Sequence, residues 1–600
     1  MLSLTSKYRT HTCGALTSAN VGETVVLSGW VHRKRDHGAL LFIDLRDNYG
    51  ITQCVVDPSA QSAAEASLSE AEKIRPESVI TVRGTVAQRA ASAVNDKIPT
   101  GEIEIRVDEW DILTNAEILP FQVFGGGAEA GDVNEELRLK YRYIDLRRES
   151  LHRNILFRNR VMKFLRDRMW DMGFSEFQTP ILGATSPEGA RDFVVPSRYH
   201  HGMFYALPQA PQQWKQLLQI SGFDRYFQIA PCFRDEDLRA DRLLEFYQLD
   251  LEMSFVDLPD IQAVGDALIP AMIREFVPNA NVAADIPHIS FDDAMLRYGT
   301  DKPDLRNPIE IADVTEIFRG SEFGIFADNI EKGAVVRAIP APHSADRPRS
   351  FFDKLGEFAV RELGLGGLAY IIFAEEAKGP VSKKLDAARV AKLKEIAGED
   401  SSLFFVCDAP DVAAKAAGKL RAKLGEDLGL INPSEYRLCW IENFPFFEAD
   451  EESPTGIAFT HNPFSYPMAT LDELRTKDPL SIKAAQFDMV LNGAEICSGG
   501  LRNYNKDVML KCFEITGYPE DDVKAKFGGL YAAFQYGAPP HGGCAFGLDR
   551  LVQIMLAEPN LREVVAFPTN QRGQDLMMDS PSIATEKQLR EVHIQIRKKN

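Results

Sequence analysis

The chain has 600 residues, of which 45% are hydrophobic and 26% are charged. A chain of this length exceeds a single hydrophobic core, and its composition is typical of folded domains rather than of disordered or fibrous proteins. The net charge of −19 excludes a protein that coats nucleic acid nonspecifically, although a local basic patch could still bind RNA.

The first residues lack the basic and then apolar pattern of a signal peptide, and no apolar run reaches the length of a membrane span. The eight cysteines include no Cys-x-x-Cys pair, and no histidine cluster has the spacing of a zinc site. We therefore expect a cytoplasmic protein with no membrane association, with reduced thiols and without zinc.

Residues 1–115 are predicted to form a β-barrel. The hydrophobic pattern predicts a helix at 62–74 and five strands, at 25–31, 40–45, 51–56, 78–86 and 102–107. Five strands with a helix after the third is the arrangement of the OB-fold, a barrel that binds single-stranded nucleic acid. The domain has 12 Lys and Arg against 15 Asp and Glu, and its basic cluster at 32–35 lies near Phe42. We therefore expect this domain to bind RNA.

Residues 116–137, which include three consecutive glycines, are predicted to be a hinge. From residue 138 the pattern becomes helical, with a long amphipathic helix at 151–171 and then an extended segment that contains Pro180. We expect 138–308 to form the first half of a catalytic domain.

Two loops in this half carry residue types that suit an amino-acid substrate. Glu188 lies in a turn-rich loop, and Gln212 and Lys215 lie where a second loop enters a helix. A buried lysine can bind a substrate carboxylate, and a loop glutamate can bind a substrate amino group.

Residues 231–255 predict two antiparallel strands joined by a densely charged loop. Arg234, Asp235 and Glu236 lie where the first strand meets the loop, and the arginines up to Arg242 are interleaved with five carboxylates up to Glu245. Guanidinium groups bind phosphates through paired hydrogen bonds, and nearby carboxylates can orient them or reach Mg²⁺. An ordinary salt-bridged hairpin is less favoured, because four polar residues are expected to project from the sheet itself, namely Arg234, Glu236, Gln248 and Asp250.

Residues 256–300 are predicted to be helical, and the composition changes at 309–433. Helices rich in Ala, Lys and Gly alternate there with apolar strands such as 368–373 and 402–406. This stretch contains no catalytic pattern, and we interpret it as an α+β domain inserted between the two halves of the catalytic domain.

The second catalytic half is predicted at 434–565, before a C-terminal extension at 566–600. A strand at 487–495 is expected to bring Asp488 and Glu495 to one site. Paired carboxylates of this kind suit Mg²⁺ that bridges ATP phosphates.

Arg502 and Lys215 are expected to form a cationic pocket for a side-chain carboxylate, because a neutral amide would leave their charge unanswered. Further along, a glycine-rich turn enters a helix through Gly547, Leu548, Asp549 and Arg550. Glycines let the backbone approach a nucleotide, and Arg550 at the helix start can face adenine and phosphate.

Three stretches, in this order, resemble the three motifs of class II aminoacyl-tRNA synthetases. The segment around Pro180 is similar to motif 1, Phe-Arg-Asp-Glu at 233–236 to motif 2, and Gly-Leu-Asp-Arg at 547–550 to motif 3. With Glu-Phe-Tyr-Gln-Leu-Asp at 245–250 and the insertion, the chain resembles the bacterial-type aspartyl-tRNA synthetases. The resemblance implies a multidomain α/β protein with an OB-fold barrel, an antiparallel-sheet catalytic domain and a GAD-type α+β insertion.

The resemblance also implies a two-step reaction, in which aspartate and ATP form aspartyl-adenylate and tRNA then accepts the aspartyl group. The residues implied for aspartate are Glu188, Gln212, Lys215, Arg234, His461 and Arg502. Those implied for ATP are Arg234, Asp235, Glu236, Glu495, Gly547, Leu548, Asp549 and Arg550, with Mg²⁺ on Asp488 and Glu495. The chain departs from the family pattern at Ala210 and at Leu243-Leu244, where polar contacts to substrates are therefore not expected.

For tRNA, the resemblance implies that Phe42 stacks on an anticodon base beside Gln53 and Arg35. His37 and Ser92 lie in the two barrel loops associated with tRNA choice, and His37 replaces a residue such as Leu of tRNA(Asp)-specific relatives. The chain therefore resembles the non-discriminating subtype, which also aspartylates tRNA(Asn); the alternative is a strictly tRNA(Asp)-specific enzyme. Motif 1 implies a homodimer.

Three other functions share some of these features. A lysyl-tRNA synthetase would need extra carboxylates in its pocket, which Arg502 disfavours, and an asparaginyl-tRNA synthetase is not expected to contain the insertion. A catalytically inactive RNA-binding paralogue would not need intact Arg234, Glu236, Glu495 and Arg550.

Overall fold

The computed structural model describes residues 5–38, 40–57, 74–124, 133–185, 190–239 and 241–597. The chain divides into two compact units, Met1–Glu149 and Ser150–Asn600. The hinge predicted at 116–137 and the other domain boundaries remain predictions, and the three glycines of the hinge lie outside the described residues. The helix predicted at 62–74 lies outside them too, except for Ile74.

The first unit contains a closed barrel of five strands. They are β1 Thr24–Asp36, β2 Leu41–Arg46, β3 Ile51–Val56, β4 Val79–Gln88 and β5 Ile103–Thr114. The strands pair in the order β1-β2-β3-β5-β4, with β3 and β5 parallel and the other neighbours antiparallel. This barrel confirms the predicted OB-fold.

Alternation of side chains determines what fills the barrel and what faces out. On β2, Leu41, Ile43 and Leu45 are buried in the barrel core, so Phe42 and Asp44 between them face outward. The five predicted strands are present, and their inward positions form one apolar cluster.

The first strand is longer than predicted. The charged run at 33–36 is typical of a loop, but β1 continues through it and pairs with β2 beyond a bulge between Val31 and Arg33. Because the charged side chains lie on the outer surface, cross-strand pairing of the backbone outweighs their low strand propensity.

The first unit ends with two short helices, α1 Glu135–Lys140 and α2 Arg142–Asp145. The Asp145 carboxylate is buried and accepts hydrogen bonds from Arg138 of α1 and from Arg142. Short 3-10 helices of this unit are Ser18–Asn20 and Ala91–Ala93.

The second unit mixes strands and helices. Its strands, in chain order, are β6 Ser175–Glu176, β7 Val194–Pro196, β8 Phe204–Ala206, β9 Arg225–Phe233, β10 Glu245–Ser254, β11 Asn281–Val282, β12 His288–Ser290, β13 Ala312–Asp313, β14 Val335–Ala341, β15 Ala369–Phe373, β16 Ala377–Lys378, β17 Ser401–Asp408, β18 Glu435–Tyr436, β19 Leu438–Glu442, β20 Phe447–Ala449, β21 Ile457–Phe459, β22 Gln486–Leu491, β23 Ala494–Leu501 and β24 His541–Gly547.

Its helices, the first of which starts at the boundary between the units, are α3 Glu149–Asp171, α4 Gln212–Ile220, α5 Leu258–Phe276, α6 Phe291–Arg297, α7 Thr315–Phe318, α8 Gly324–Ile330, α9 Arg349–Arg361, α10 Ala387–Ala397, α11 Pro410–Asp427, α12 Leu471–Thr476, α13 Lys506–Ile515, α14 Glu520–Ala533, α15 Leu548–Leu556 and α16 Glu586–Glu591. Short 3-10 helices are Ser382–Lys384, Pro479–Ser481, Phe534–Tyr536 and Leu561–Glu563.

The main sheet has eight strands in the order β12-β19-β22-β23-β24-β10-β9-β6, and its central strands are antiparallel. One face packs against apolar side chains of α3, α5 and α15. On α3 these side chains are spaced four residues apart, which keeps them on one side of the helix: Phe157, Val161, Leu165 and Met169. The sheet and helices confirm the antiparallel-sheet domain that the resemblance implies.

The single strand predicted at 487–495 is wrong, because this stretch is a hairpin. β22 and β23 are joined by Asn492-Gly493, and both turn residues have positive φ, 51° and 84°. Asn-Gly is the preferred pair for this two-residue turn, so the sequence does contain the signal.

A bulge in this hairpin determines which side chains face the core. The register of β22 and β23 shifts between Met489 and Val490. As a result, Ile496 and Cys497, although adjacent, both pack into the core. The side chain of Glu495 therefore faces away from the core.

The insertion has a sheet of its own, in the order β13-β14-β17-β15-β16, covered by α7 to α11. Two separate apolar clusters, around Phe404 and around Phe405, fill its two sides. This confirms the predicted α+β character of the insertion.

Among the described residues, no helix combines the length and the apolar character that a bilayer span requires. None of the eight cysteines forms a disulfide, and seven of them are buried.

Candidate active site

The face of the main sheet opposite its core is polar. Gln248, Asp250 and Glu252 occupy alternate positions of β10, while Leu249 and Leu251 between them face the core. The residues paired with the three polar positions on β24 are small, namely Gly547, Ala545 and Gly543. Small residues beside polar ones leave room for a ligand above the sheet.

Lys215 of α4 is buried between two carboxylates of this face. Its Nζ lies 2.7 Å from Asp250 Oδ1 and 3.2 Å from Glu252 Oε2, and its side chain is 2% exposed. Burial alone would lower the pKa of Lys215, but the two carboxylates outweigh burial and raise it. The lysine is therefore charged at neutral pH.

Arg502, just after β23, completes a cluster of four charges. Its Nε and Nη2 donate to Glu252 at 2.9 and 3.2 Å, and Nη2 also donates to the Gly543 carbonyl at 3.0 Å. Burial opposes ionisation of Glu252, but Arg502 and then Lys215 hold the pKa of this carboxyl below its ordinary value. Burial raises the pKa of Asp250, whereas the contact with Lys215 stabilises its charged form. The pocket predicted to be cationic thus pairs two cations with two carboxylates, and the formal charges cancel when both carboxylates are ionised.

Arg234 and Glu236 lie in the loop after β9, so the prediction that they project from the sheet is wrong. The Arg234 guanidinium lies over the ring of Phe246, 5.0 Å from its centroid. Its Nε is buried and has no hydrogen-bond partner among the described residues. The stacking fixes the plane of the guanidinium while leaving a donor for a ligand.

The neighbours of Arg234 in the loop are tied into the protein. Asp235 forms a backbone bridge with Arg191, and Glu236 Oε2 accepts a hydrogen bond of 2.6 Å from Arg242. Because Arg242 holds Glu236, the carboxylate is oriented before a substrate binds.

Of the other three residues predicted to bind aspartate, the structure describes two. Gln212 is buried on the first turn of α4, and its Nε2 has no hydrogen-bond partner among the described residues. His461 lies in the loop after β21, within electrostatic reach of Asp301 and Glu495. Glu188 lies outside the described residues.

Asp488 of β22 and Glu495 of β23 lie close together, as predicted. Burial and then the negative charge of Glu495 raise the pKa of Asp488 well above its ordinary value. Lys302, which sequence analysis did not single out, lies 2.9 Å from Glu495 Oε2. The two carboxylates thus share one neighbouring cation.

This pair of carboxylates fits a magnesium ion. Among the described residues, no group of three or more His, Cys, Asp or Glu side chains could hold a metal. Mg²⁺, however, is commonly held by one or two carboxylates together with substrate phosphates. Burial and then the charge of Glu495 disfavour the ionised form of Asp488, and a cation bound there would favour it.

The two glycines of β24 that flank the polar face differ in what surrounds them. A Cβ on Gly543 would lie 2.1 Å from the Leu251 carbonyl, so the sheet itself requires glycine there. On Gly547, the only described neighbour of a Cβ would be Arg550 Cβ at 3.8 Å. The space above Gly547 is therefore open.

Three other predicted ATP residues follow Gly547 on α15. The Leu548 side chain is in the core, so only its backbone can contact a ligand. Asp549 accepts hydrogen bonds from Arg158 of α3, at 2.7 and 3.2 Å, and from the Tyr247 amide at 2.9 Å. Arg550 donates to the Glu495 carbonyl at 2.7 Å, which places it beside the carboxylate pair.

The barrel places three predicted anticodon residues on one outer surface. Arg35 Nη2 donates to Asp44 at 2.9 Å and to Gln53 at 3.2 Å, and Gln53 donates to Glu104 at 3.1 Å. Phe42 pairs with Arg35 across β1 and β2. A row of polar groups beside an outward aromatic ring suits a base that stacks and is read at its edge.

Of the two residues predicted for tRNA choice, His37 contacts this surface. Its ring packs edge-on against Phe42, with centroids 5.4 Å apart. Ser92 is exposed in the 3-10 helix Ala91–Ala93, between β4 and β5.

Three residues on or beside the polar face had no substrate or metal role in the predicted site. Asp250 and Glu252 are signalled by polar residues at alternate positions of an otherwise apolar strand. Lys302 has no such signal, since it lies in an irregular segment far from Glu495 in sequence.

Two family models match the chain. The model described as class II tRNA synthetases (D, K and N) matches residues 134–571, and the model described as an OB-fold nucleic acid binding domain matches 25–113. The chain belongs to the class II tRNA synthetases. The elements that place Lys215, Arg502 and Asp488 are therefore those of a synthetase catalytic domain.

Similar synthetases from bacteria match the chain along its length. A protein of Acidiphilium cryptum named "Aspartate--tRNA(Asp/Asn) ligase" is 55% identical and covers 98% of each chain. A protein of the same name from Gluconobacter oxydans is 53% identical, over 98% of this chain and 97% of that protein.

Solved synthetase structures share the fold. Asparaginyl-tRNA synthetase from Pyrococcus horikoshii, complexed with asparaginyl-adenylate, has a TM-score of 0.58 at 18% identity, over 93% of this chain and 97% of that one. A putative aspartyl-tRNA synthetase from Leishmania major has a TM-score of 0.59 at 20% identity, over 95% of each chain.

Proposed function

We propose that this synthetase attaches L-aspartate to tRNA, converting ATP to AMP and pyrophosphate. The observation that carries the proposal is the buried cluster of Lys215, Arg502, Asp250 and Glu252, on the sheet face that also carries Asp488. An amino-acid pocket beside a surface for a nucleotide is what adenylate formation requires. The names of relatives that match nearly the whole chain support the same activity.

In the first step, the α-carboxylate of aspartate attacks the α-phosphorus of ATP, and pyrophosphate leaves. We assign Arg234 to the α-phosphate and the carboxylate, because its guanidinium is stacked on Phe246 and its Nε has no hydrogen-bond partner in the described part of the chain. Glu236 and Arg550 would hold ATP, with the backbone of Gly547 beneath it. The protein contributes positioning and charge and forms no covalent intermediate.

Asp488 and Glu495 would hold Mg²⁺, which supplies positive charge for the ATP phosphates when bound. Without it, Lys302 is the cation that faces Glu495.

The cluster favours aspartate over asparagine through its hydrogen-bond donors. Lys215 and Arg502 are donors only, and no hydrogen bond from Arg502 Nη1 is found among the described residues. Remaining N–H groups can pair with both oxygens of a carboxylate, but they would oppose the N–H groups of a side-chain amide. Glu188 and Gln212 are proposed to contact the substrate's amino-acid group.

A lysine substrate is disfavoured by the same chemistry. Both carboxylates of the cluster are already bound to Lys215 or Arg502. A substrate ammonium would therefore meet bound cations rather than free anions. A catalytically inactive paralogue would have no need for the neutral buried cluster, which is expensive to desolvate.

In the second step, the terminal ribose hydroxyl of tRNA attacks the aspartyl-adenylate. We propose that the barrel binds the anticodon through Phe42, Arg35 and Gln53. Because His37 packs on Phe42, its size sets the space around the base that stacks there. The names of the similar proteins support charging of tRNA(Asn) as well as tRNA(Asp), and we assign His37 and Ser92 as the residues that permit it.

We further propose a cytoplasmic homodimer. Ile181 and Leu182, next to Pro180 of motif 1, are large apolar residues with exposures of 47% and 52%. Adjacent exposed apolar residues are typical of an interface.

The deciding experiment is aminoacylation with L-aspartate on unmodified transcripts of tRNA(Asp) and tRNA(Asn) at equal concentrations. We expect both to be charged, and His37→Leu to lower kcat/KM for tRNA(Asn) about tenfold relative to tRNA(Asp). Charging of tRNA(Asp) alone would remove the non-discriminating subtype. Charging of neither tRNA would exclude the proposed ligase activity. If His37→Leu and the wild type had equal ratios of kcat/KM for the two tRNAs, the proposed role of His37 would be wrong.

A further inference from the structure

Lys302 belongs to the segment 298–309, which joins the catalytic domain to the insertion. Its ammonium lies 2.9 Å from Glu495 Oε2, and Asp301 is its other ion-pair partner at 3.7 Å. The segment also packs on the β22–β23 turn, where a Cβ on Gly493 would lie 3.1 Å from Asp304 Cβ. The segment therefore contacts both the turn and the carboxylate of this hairpin.

A single arginine of the insertion holds this segment. Arg421 of α11 donates to the carbonyls of Ile309 at 2.6 Å, Asn307 at 2.6 Å and Asp304 at 3.0 Å. Asn307 donates back to the Arg421 carbonyl at 2.9 Å. Arg421 is 3% exposed, and its guanidinium lies over the Tyr298 ring at 5.0 Å.

Close packing of the backbone also holds the segment 298–309 against α11, in addition to the hydrogen bonds of Arg421. A Cβ on Gly299 would lie 2.3 Å from the Ala414 carbonyl, and one on Gly418 would lie 2.5 Å from the Gly299 carbonyl. The segment and α11 thus touch backbone to backbone, which leaves little freedom for one to move without the other.

We propose that Arg421 is a positioning residue, through which the insertion fixes Lys302 against Glu495 and so prepares the site for MgATP. The inference rests on the proposed function, since it assumes that Glu495 contacts MgATP. It gives the insertion a role in the first step of the reaction, although Arg421 itself acts only through the segment 298–309.

The physical reason is the ion pair at the site. The ammonium of Lys302, which lies 2.9 Å from Oε2 of Glu495, holds this carboxylate in place. When Arg421 is replaced, three carbonyls lose their donor and the segment that carries Lys302 can shift. Glu495 then loses its fixed orientation, although it is far from Arg421 in sequence.

The experiment measures equilibrium binding of an unreactive ATP analogue, with a methylene between the α- and β-phosphates, by calorimetry with Mg²⁺ and without turnover. We expect Lys302→Met and Arg421→Lys each to weaken binding about tenfold, as couplings of this kind commonly do. Because both act through Glu495, we expect the double variant to be no weaker than the single variants. Hydrogen exchange in 298–309 should be faster in Arg421→Lys than in the wild type.

Arg389→Lys is the matched control. Arg389 also donates to a backbone carbonyl, that of Arg319 at 3.1 Å, but within the insertion. We expect this variant to bind the analogue like the wild type. Asn307→Ala removes the return hydrogen bond to the Arg421 carbonyl and the hydrogen bond that Asn307 Oδ1 accepts from the Ile309 amide, and both belong to this contact. It replaces Arg421→Lys should the latter not fold.

Two outcomes would overturn the proposal. One is an affinity of Lys302→Met for the analogue within twofold of that of the wild type. The other is a double variant whose fold-loss of affinity equals the product of the fold-losses of the two single variants. Aspartate-dependent exchange of pyrophosphate into ATP by the wild type tests the proposed function separately. If the wild type does not catalyse this exchange, the proposed function is wrong, and this inference is wrong with it.

Discussion

Four ionised side chains meet beneath the candidate amino-acid pocket, and their charges cancel. Lys215 and Arg502 share the Glu252 carboxylate, and Lys215 also binds Asp250. A buried charge is tolerable only when it is paired, so the cluster is a unit in which loss of one member exposes the others. Effects on stability and on substrate binding are therefore mixed in any single substitution.

A double variant separates the two effects. We expect Lys215→Met to lower the free energy of unfolding by about 3–5 kcal/mol, because Asp250 is left buried without a cation. Adding Asp250→Leu should restore most of this stability, since Glu252 and Arg502 remain paired. Aspartate activation should stay at least about 100-fold below that of the wild type in the double variant.

Urea unfolding and pyrophosphate exchange measure these two quantities on the same preparations. If activity returned together with stability, Lys215 would be a structural residue and the proposed aspartate pocket would be wrong.

His32 makes the barrel sensitive to pH. Its Nδ1 lies 3.0 Å from Nη1 of Arg46, which can only donate, so the imidazole accepts and is neutral. Burial, then Arg46 and Arg33, lower the pKa of His32 to about 4. The pKa of His32 in the folded protein lies below its ordinary value of about 6.5. The contribution of neutral His32 to the free energy of unfolding is therefore fully present above pH 6.5 and is lost as the pH falls towards 4.

We expect protection of the β1 and β2 amides against hydrogen exchange in the full chain to fall between pH 7 and pH 5, after correction for intrinsic rates. His32→Gln keeps an acceptor for Arg46 without a titrating group, and it should reduce this pH dependence. His37→Gln, in the same unit, is the control. Equal pH dependence in His32→Gln and the wild type would contradict the assignment.

At the scale of elements, hydrogen bonds to Asp549 connect α15 to its neighbours α3 and β10. Its carboxylate accepts from Arg158 of α3 and from the Tyr247 amide of β10. The same helix carries Arg550, so these hydrogen bonds also position a proposed ATP contact.

We expect Asp549→Asn to lower the free energy of unfolding by about 1.5–3 kcal/mol, because the acceptor that faces the charged Arg158 guanidinium becomes a neutral amide and the ion pair is lost. Asp472→Asn is the control, since its ion pair with Arg475 is exposed and should change stability by less than about 1 kcal/mol. Urea unfolding of both variants checks the difference, and equal losses would show that Asp549 is no stronger a fastening than a surface pair.

The β22–β23 hairpin shows where prediction from the sequence stops. In one continuous strand, Asp488 and Glu495 are an odd number of residues apart and would point to opposite faces. The Asn492-Gly493 turn is readable from the sequence, but the bulge that places Ile496 and Cys497 together in the core is not. Register depends on packing against α5 and α15, which a local pattern does not contain.

At the scale of the whole molecule, the fold was predictable because its signals are periodic. Strands of the barrel, the spacing on α3 and the composition of the insertion each follow from alternation or helical repeat. The site was predictable in part, because the charged side chains of Lys215, Arg502 and Asp488 are the types that suit an amino-acid carboxylate and a metal ion. Lys302 and Arg421 were not, since their partners are distant in sequence and irregular in structure.

The contrast between Gly543 and Gly547 separates two kinds of selection. A population of variants screened only for folded, soluble protein should reject alanine at 543, where the Leu251 carbonyl occupies the space, and accept it at 547. A screen for growth that depends on aspartyl-tRNA should reject both. A residue that survives the first screen and fails the second is retained for its ligand, and such positions can be mapped even where the ligand has not been identified.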